Sequence, residues 1–167
     1  MEKKIIYKND YFEVHVQHNI LSLKNKKGGA AILPLTKEGE VFFIEIYREP
    51  IHMKVLEIPR GFQEKGENPL ETAKRELKEE IDAVCEQIVP LGSMYTDSGI
   101  SDSQIHLFLG KNTILASNRL QISEGITRIV KIPFDLAYKM ALEGTIKDSF
   151  TLVALMRSAN IIREWNR

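Results

Sequence analysis

The stretch that most narrows the possible folds is GFQEKGENPLETAKRELKEEIDA, Gly61 to Ala83: a glycine-led loop followed by a helix crowded with carboxylates. Asn68 suits a helix cap, Pro69 the first turn, and Glu71 the return bond of a capping box, so the spacing predicts a helix that starts at Pro69. At about 100° per residue, Leu70, Ala73, Leu77 and Ile81 fall on one apolar stripe, which must lie against other elements. Glu76 and Glu80 share the flank of that stripe, with Glu79 beside them. Like charges one turn apart cost about 0.2–0.5 kcal/mol per pair, and Glu79 and Glu80 stand near the negative end of the helix dipole. Lys74, Arg75 and Lys78 offset part of this. On the helix alone, a solvated ion-paired face and an acid cluster built for cations are both open readings.

The flanking segments say what the helix packs against. YFEVHVQ, GGAAILPL, EVFFIEIYR and VLEIP before it, and QIVPLGSMYT, SQIHLFLGKNTI and TRIVKIPF after it, are short β-branched and aromatic runs bounded by turn residues. TKEGE reads as a hairpin turn. Helical periodicity returns in PFDLAYKMALEG and SFTLVALMRSANIIREW. Strands, one inserted helix, more strands and then helices predict an α+β fold with helices on a mixed sheet. At 167 residues, with no repeat or linker-like segment, one domain over 1–167 is expected.

Composition removes several function classes. The 23 basic and 23 acidic residues balance, so no global charge points to nucleic acid or membrane, and KNKKGG reads as a short solvated basic hairpin. MEKKIIYKNDYFEV has neither an apolar core nor a cleavage site, which favours a cytoplasmic protein. Cys85 is the only cysteine, which excludes an intrachain disulfide and a cysteine-rich zinc site; following an acidic helix, it reads as a structural residue and not a nucleophile. His15, His18, His52 and His106 show no metal-ligand spacing, and Tyr95 reads as a core or half-buried strand aromatic, with stacking on a base as the alternative.

Gly61, then Glu67, then Arg75-Glu76-Leu77 and Glu79-Glu80, match the spacing G-x5-E-x7-R-E-U-x-E-E-x-G-U, where U is bulky and apolar. The chain therefore resembles the Nudix hydrolases. Asp82 replaces the second glycine of that pattern and Ala83 its last apolar residue. Asp enters the left-handed region less readily than Gly, so this departure bears on the helix exit and leaves the acids intact. The resemblance implies an α/β/α sandwich with a mixed β-sheet and the Nudix loop-helix motif. It also implies hydrolysis of a pyrophosphate bond with Mg2+, Mn2+ being a possible substitute. Its metal ligands are then Glu76, Glu79, Glu80 and the carbonyl of Arg60, while Gly61, Glu67 and Arg75 brace the motif. A hard cation that keeps its waters and takes a few carboxylates plus substrate phosphates suits this chemistry.

IYREP (Ile46 to Pro50) and LEIPRG (Leu56 to Gly61) are similar to segments of the ADP-ribose and ADP-sugar pyrophosphatases. That similarity implies a nucleoside-diphosphate-linked small molecule as partner, with Arg48, Glu57, Arg60 and Gly99 near it. For Glu57 a structural ion pair is an equal alternative. It also implies Glu124 as metal ligand or general base in NRLQISEGITRIVKI, with Asp102 a weaker candidate, and Glu79 and Glu80 as catalytic acids. Ser98 stands where those enzymes carry a proline. Dinucleoside polyphosphates, nucleoside triphosphates and RNA 5′ ends therefore stay open as substrates, as does a silent module that senses a nucleotide sugar. The similarity spans roughly residues 29 to 165. Residues 1–28 form a short strand region, at a place where the subfamily builds a domain-swapped dimer, so a homodimer is an expectation.

Overall fold

The computed structural model describes residues 4–117 and 125–165. Its centre is the run GAAILP, apolar enough to be covered on both faces, which forms β4 (Gly29–Pro34) and is buried at every position. It pairs in parallel with β10 (Gln104–Lys111) and antiparallel with β7 (Arg60–Phe62); β10 pairs antiparallel with β9 (Gln87–Tyr95). A second, antiparallel sheet sets β5 (Glu40–Arg48) between β6 (Met53–Glu57) and β12 (Ile126–Pro133). The TKEGE turn leads into β5 as expected, with the Gly39 N–H bonded to the Thr36 carbonyl at 3.2 Å.

Period-two alternation divides the core. Ala30 and Ile32, with Ile44 and Ile46, meet Ala73, Leu77 and Ile81 of α1 (Pro69–Ile81). Their neighbours Ala31, Leu33 and Phe43, with Leu107 and Leu109, meet α2 (Phe134–Leu142) and α3 (Ser149–Trp165) through Ala137, Leu155 and Ile162. Helices thus cover both faces, as the α/β/α sandwich requires. Two short strands, β8 (Ala83–Val84) and β11 (Ile114–Leu115), pair beyond the end of α1.

The cap of α1 is as the sequence predicts: Asn68 Oδ1 accepts from the N–H groups of Leu70 and Glu71, and Glu71 returns a 2.8 Å bond to the Asn68 N–H. The exit shows how Asp82 replaces a glycine. It takes the left-handed conformation (φ 48°, ψ 46°), donates its N–H to the last-turn carbonyls, and has its carboxylate held by Lys78 and by the Ser117 hydroxyl. Leu70 departs from the expected stripe. It lies in the first turn and is 37 % exposed. The buried face consists instead of two adjacent rows, each with its members about one turn apart, Ala73-Leu77-Ile81 against the core and Thr72-Glu76-Glu80 beside it.

The N-terminal region holds more structure than its sequence announces. β1 (Lys4–Lys8) and β3 (Ile20–Asn25) flank β2 (Phe12–Gln17) in an antiparallel sheet, and β1 is exposed at every position. The edge of β3 reaches the β9–β10 loop: the Leu23 N–H bonds the Ile100 carbonyl at 2.6 Å, and the Asp102 N–H bonds the Leu23 carbonyl at 3.2 Å. Among the described residues no helix is long and apolar enough to cross a membrane.

Candidate active site

Arg75, on α1, organises the loop–helix motif. Its Nε and Nη2 bond Glu67 at 2.8 and 3.2 Å, Nη2 bonds the Phe62 carbonyl at 2.8 Å, and Nη1 bonds Glu76 and Glu79 at 2.7 Å each. One guanidinium therefore offsets the repulsion that makes this helix flank costly on its own. Glu67 also accepts from the Glu64 N–H and the Thr72 hydroxyl; with Arg75 the main cause, its pKa is lowered to about 2.

β7 meets this row of acids directly. The Arg60 N–H donates to Glu80 Oε2 at 3.0 Å, and a Cβ added to Gly61 would stand 1.9 Å from Glu76 Oε1. Gly61 is thus required by close approach: only a residue without a side chain lets the strand lie against the Glu76 carboxylate. Glu76 and Glu80 are buried, 6 % and 2 % exposed, whereas Glu79 opens to solvent.

A second cationic centre adjoins the first. Glu57 is 2 % exposed and accepts two bonds from Arg48 (2.9 and 2.6 Å) and one from Arg60 (2.9 Å). Burial pushes the Glu57 carboxyl up, but the two guanidinium groups outweigh it and hold it below its ordinary value. The Arg60 guanidinium lies 4.4 Å over the Phe150 ring and 3.9 Å from Asp148. Asp148 in turn accepts from the N–H and hydroxyl of Thr151, and that hydroxyl accepts from the Ile58 N–H at 3.0 Å. The start of α3 is thereby fastened to the corner that delivers Arg60. Burial raises the Asp148 pKa, and Arg60 opposes the shift.

Both centres open into one cleft of about 700 Å3. Arg48, Arg60, Arg75, Glu76, Glu79 and Glu80 line it, with Gly61 at their junction; the N-terminal sheet supplies another wall through Tyr11 and Phe12. Those rings meet Phe62 at 5.2 and 5.5 Å, and Tyr11 and Phe62 keep 43 % and 38 % of their surfaces exposed. An exposed aromatic surface beside arginines and carboxylates suits a flat ring joined to phosphates.

Not every residue singled out by sequence stands here. Gly99, Ser98, Asp102 and Tyr95 line an adjoining cavity that shares Leu23, Ile100 and Ser101 with the cleft, and Asp102 Oδ1 accepts from the Asn25 N–H at 2.7 Å. Glu57 lies beneath its two arginines, the ion-pair alternative of the sequence reading. Glu124 falls outside the described residues. Cys85 is half-buried, and burial raises its thiol pKa, which fits a structural residue. KNKKGG is no mere solvated hairpin, since Lys27 lines the cleft. Sequence reasoning missed Tyr11, Phe12, Asp148, Phe150 and Thr151. Asp148 carried a readable signal, an aspartate in the cap position just before the apolar-periodic run.

A family model described as the NUDIX domain matches residues 25–135. The chain belongs to the Nudix family. Its relatives include the methanol dehydrogenase activator of Bacillus methanolicus, 36% identical over 77% of this chain and 70% of that protein. The ADP-ribose pyrophosphatase of Bacillus subtilis (strain 168) is 29% identical over the same shares. A crystal structure of an ADP compounds hydrolase matches with a TM-score of 0.76 over 99% of this chain and 91% of that one; at 16% identity this shows the fold. The protein is a Nudix hydrolase. Nudix hydrolases generally use divalent cations.

The donor set here fits such a cation. Glu76, Glu79 and Glu80 present oxygens, and at Gly61 the missing side chain leaves the backbone next to the Arg60 carbonyl against the Glu76 carboxylate. Among the described residues no three His, Cys, Asp or Glu side chains are drawn together closely enough to hold a metal ion, since Glu76 and Glu79 turn to Arg75 and Glu80 to the Arg60 N–H. An open oxygen set of this kind suits a hard cation that completes its shell with water and substrate phosphate.

Proposed function

We propose that this Nudix hydrolase cleaves the pyrophosphate bond of ADP-ribose or an ADP-sugar with Mg2+, adding water to give AMP and a sugar phosphate such as ribose 5-phosphate. The observation that carries the reading is a single cleft in which oxygen donors, two carboxylate-held arginines and exposed aromatic rings converge. When bound to Glu76, Glu79, Glu80 and the Arg60 carbonyl, the cation neutralises diphosphate oxygens and lowers the pKa of the attacking water. The chain's own groups do the rest. Arg48 and Arg60 hold the diphosphate with forks that Glu57 and Phe150 keep oriented. Glu80 is fixed by the Arg60 N–H, so β7 and α1 keep one spacing. Tyr11 and Phe62 take the base. Glu124 serves as the base or as a further ligand, with Glu79, exposed where Glu76 and Glu80 are buried, beside the water. Gly99 acts through the shape of its loop.

The test is a panel of ADP-ribose, ADP-glucose, UDP-glucose, diadenosine polyphosphates and nucleoside triphosphates with Mg2+, followed by identification of products. Preferential turnover of an ADP-linked sugar supports the reading. Preference for a polyphosphate would move the substrate to the alternative left open by Ser98, and tight binding without turnover would favour the sensor. The 36% identity to an activator of methanol dehydrogenase favours a second role, stimulation of an alcohol dehydrogenase; adding the chain to such an enzyme tests it directly. We also propose one cytoplasmic domain that pairs with a second copy through the exposed N-terminal strands, with no nucleic acid or membrane partner. Ile5, Ile6, Tyr7 and Ile20 leave a large apolar surface there. Elution as a monomer at micromolar concentration would contradict the dimer.

A further inference from the structure

The cleft is lined by four cationic side chains, Lys27, Arg48, Arg60 and Arg75. The three arginines are committed to carboxylates: Arg48 and Arg60 to Glu57, Arg75 to Glu67, Glu76 and Glu79. Lys27 alone has no carboxylate partner among the described residues. Its Nζ stands 4.3 Å from the centroid of the Tyr11 ring, which attracts the ammonium without neutralising it.

The lysine is held there by a built turn. The Lys27 N–H donates to Asn25 Oδ1 at 3.0 Å, and Asn25 is itself anchored by Asp102. The neighbouring Lys26 bonds the carbonyls of Tyr11 and Asn9 at 2.9 Å each. Gly28, at φ +69°, packs so closely on Gln63 that a Cβ would come within 2.7 Å of its Oε1, and Gln63 bonds the Glu67 carbonyl. The turn is therefore tied to the N-terminal sheet, to the β9–β10 loop and to the loop ahead of α1.

We infer that Lys27 is a specificity-determining contact, its ammonium taking a phosphate oxygen on the nucleotide half of the substrate. An uncompensated cation in a cleft rich in carboxylates is placed for an incoming anion. A base stacked on the adjoining Tyr11 and Phe62 rings brings the phosphate of its own nucleoside within reach of a flexible lysine stem. This rests on the ADP-linked reading of the cleft.

The experiment compares the full-length chain with Lys27→Met, which keeps the apolar stem over Tyr11 and removes only the charge. KM for ADP-ribose should rise about tenfold, with kcat within about twofold, because the contact is made equally in ground and transition states. The preference of the site for AMP over adenosine, as competing inhibitors, should fall about tenfold while adenosine inhibition stays unchanged. Lys27→Arg should recover most of the KM change. An unaltered KM and AMP preference, or a loss confined to kcat, would overturn the assignment. If the wild-type chain turns over no ADP-linked compound, the functional reading fails on its own. Calorimetric binding of AMP and adenosine then decides the lysine: weaker AMP binding in Lys27→Met supports it, while equal or absent binding overturns it.

Discussion

Two regions face each other across the cleft and differ in how they come to be there. The loop–helix motif from Gly61 to Ile81 is held by partners close in sequence: Asn68 to Glu71, Glu67 to Arg75, Arg75 to Glu79. The N-terminal sheet is held by distant ones, such as Asn25 to Asp102 and Leu23 to Ile100. The first buries a helically spaced row that includes Glu76 and Glu80; the second is largely exposed and contributes ring faces and one lysine. On the proposed reading the cleft separates chemistry from recognition, with the local motif carrying the acids and the long-range wall carrying selectivity.

That division predicts where substitutions act. Glu80→Gln keeps an acceptor for the Arg60 N–H but removes a charge from the oxygen set, so kcat should fall about 1000-fold with the fold intact, as rate and thermal melting together would show. Gly61→Ala should cost about 100-fold, since its methyl group would overlap the Glu76 carboxylate and push β7 from α1 by about 1 Å; near-native activity would refute the close approach. On the opposite wall, Tyr11→Leu should raise KM about 5–10-fold and leave kcat nearly unchanged. A kcat loss there as large as that of Glu80→Gln would erase the distinction between the walls.

The smallest expected effect is one of pH. Glu67 is held at about 2 against an ordinary 4.5, so its pairing with Arg75 contributes stability that is fully present above about pH 4.5 and lost as pH falls toward 2. Melting temperature should decline over that window, and Glu67→Gln should flatten the decline while lowering stability at neutral pH. A variant with an unchanged acid slope would show that the pair contributes nothing measurable.

The same contrast explains what could be read from sequence. Asn68, Pro69 and Glu71 announce a helix because capping depends on neighbours, and Glu76 and Glu80 announce a shared face because the helical period is fixed. Leu70 was misplaced by that logic: periodicity gives a face but not how far along the helix that face is covered. Glu57 could not be told from a substrate contact until the fold set Arg48 and Arg60 on either side of it. Lys27 looked like solvated charge because its place depends on Asp102 and Gln63, far away along the chain. β1 and β3 were hidden by charged and exposed residues that blur the alternation of a strand.

The most direct test of the account is to incubate the wild-type chain with ADP-ribose, with and without Mg2+, and to resolve the products by chromatography. The account predicts AMP and ribose 5-phosphate in equal amounts, formed only with the cation. Intact ADP-ribose after incubation with folded protein and Mg2+, or identical hydrolysis in the presence of a chelator, would contradict it.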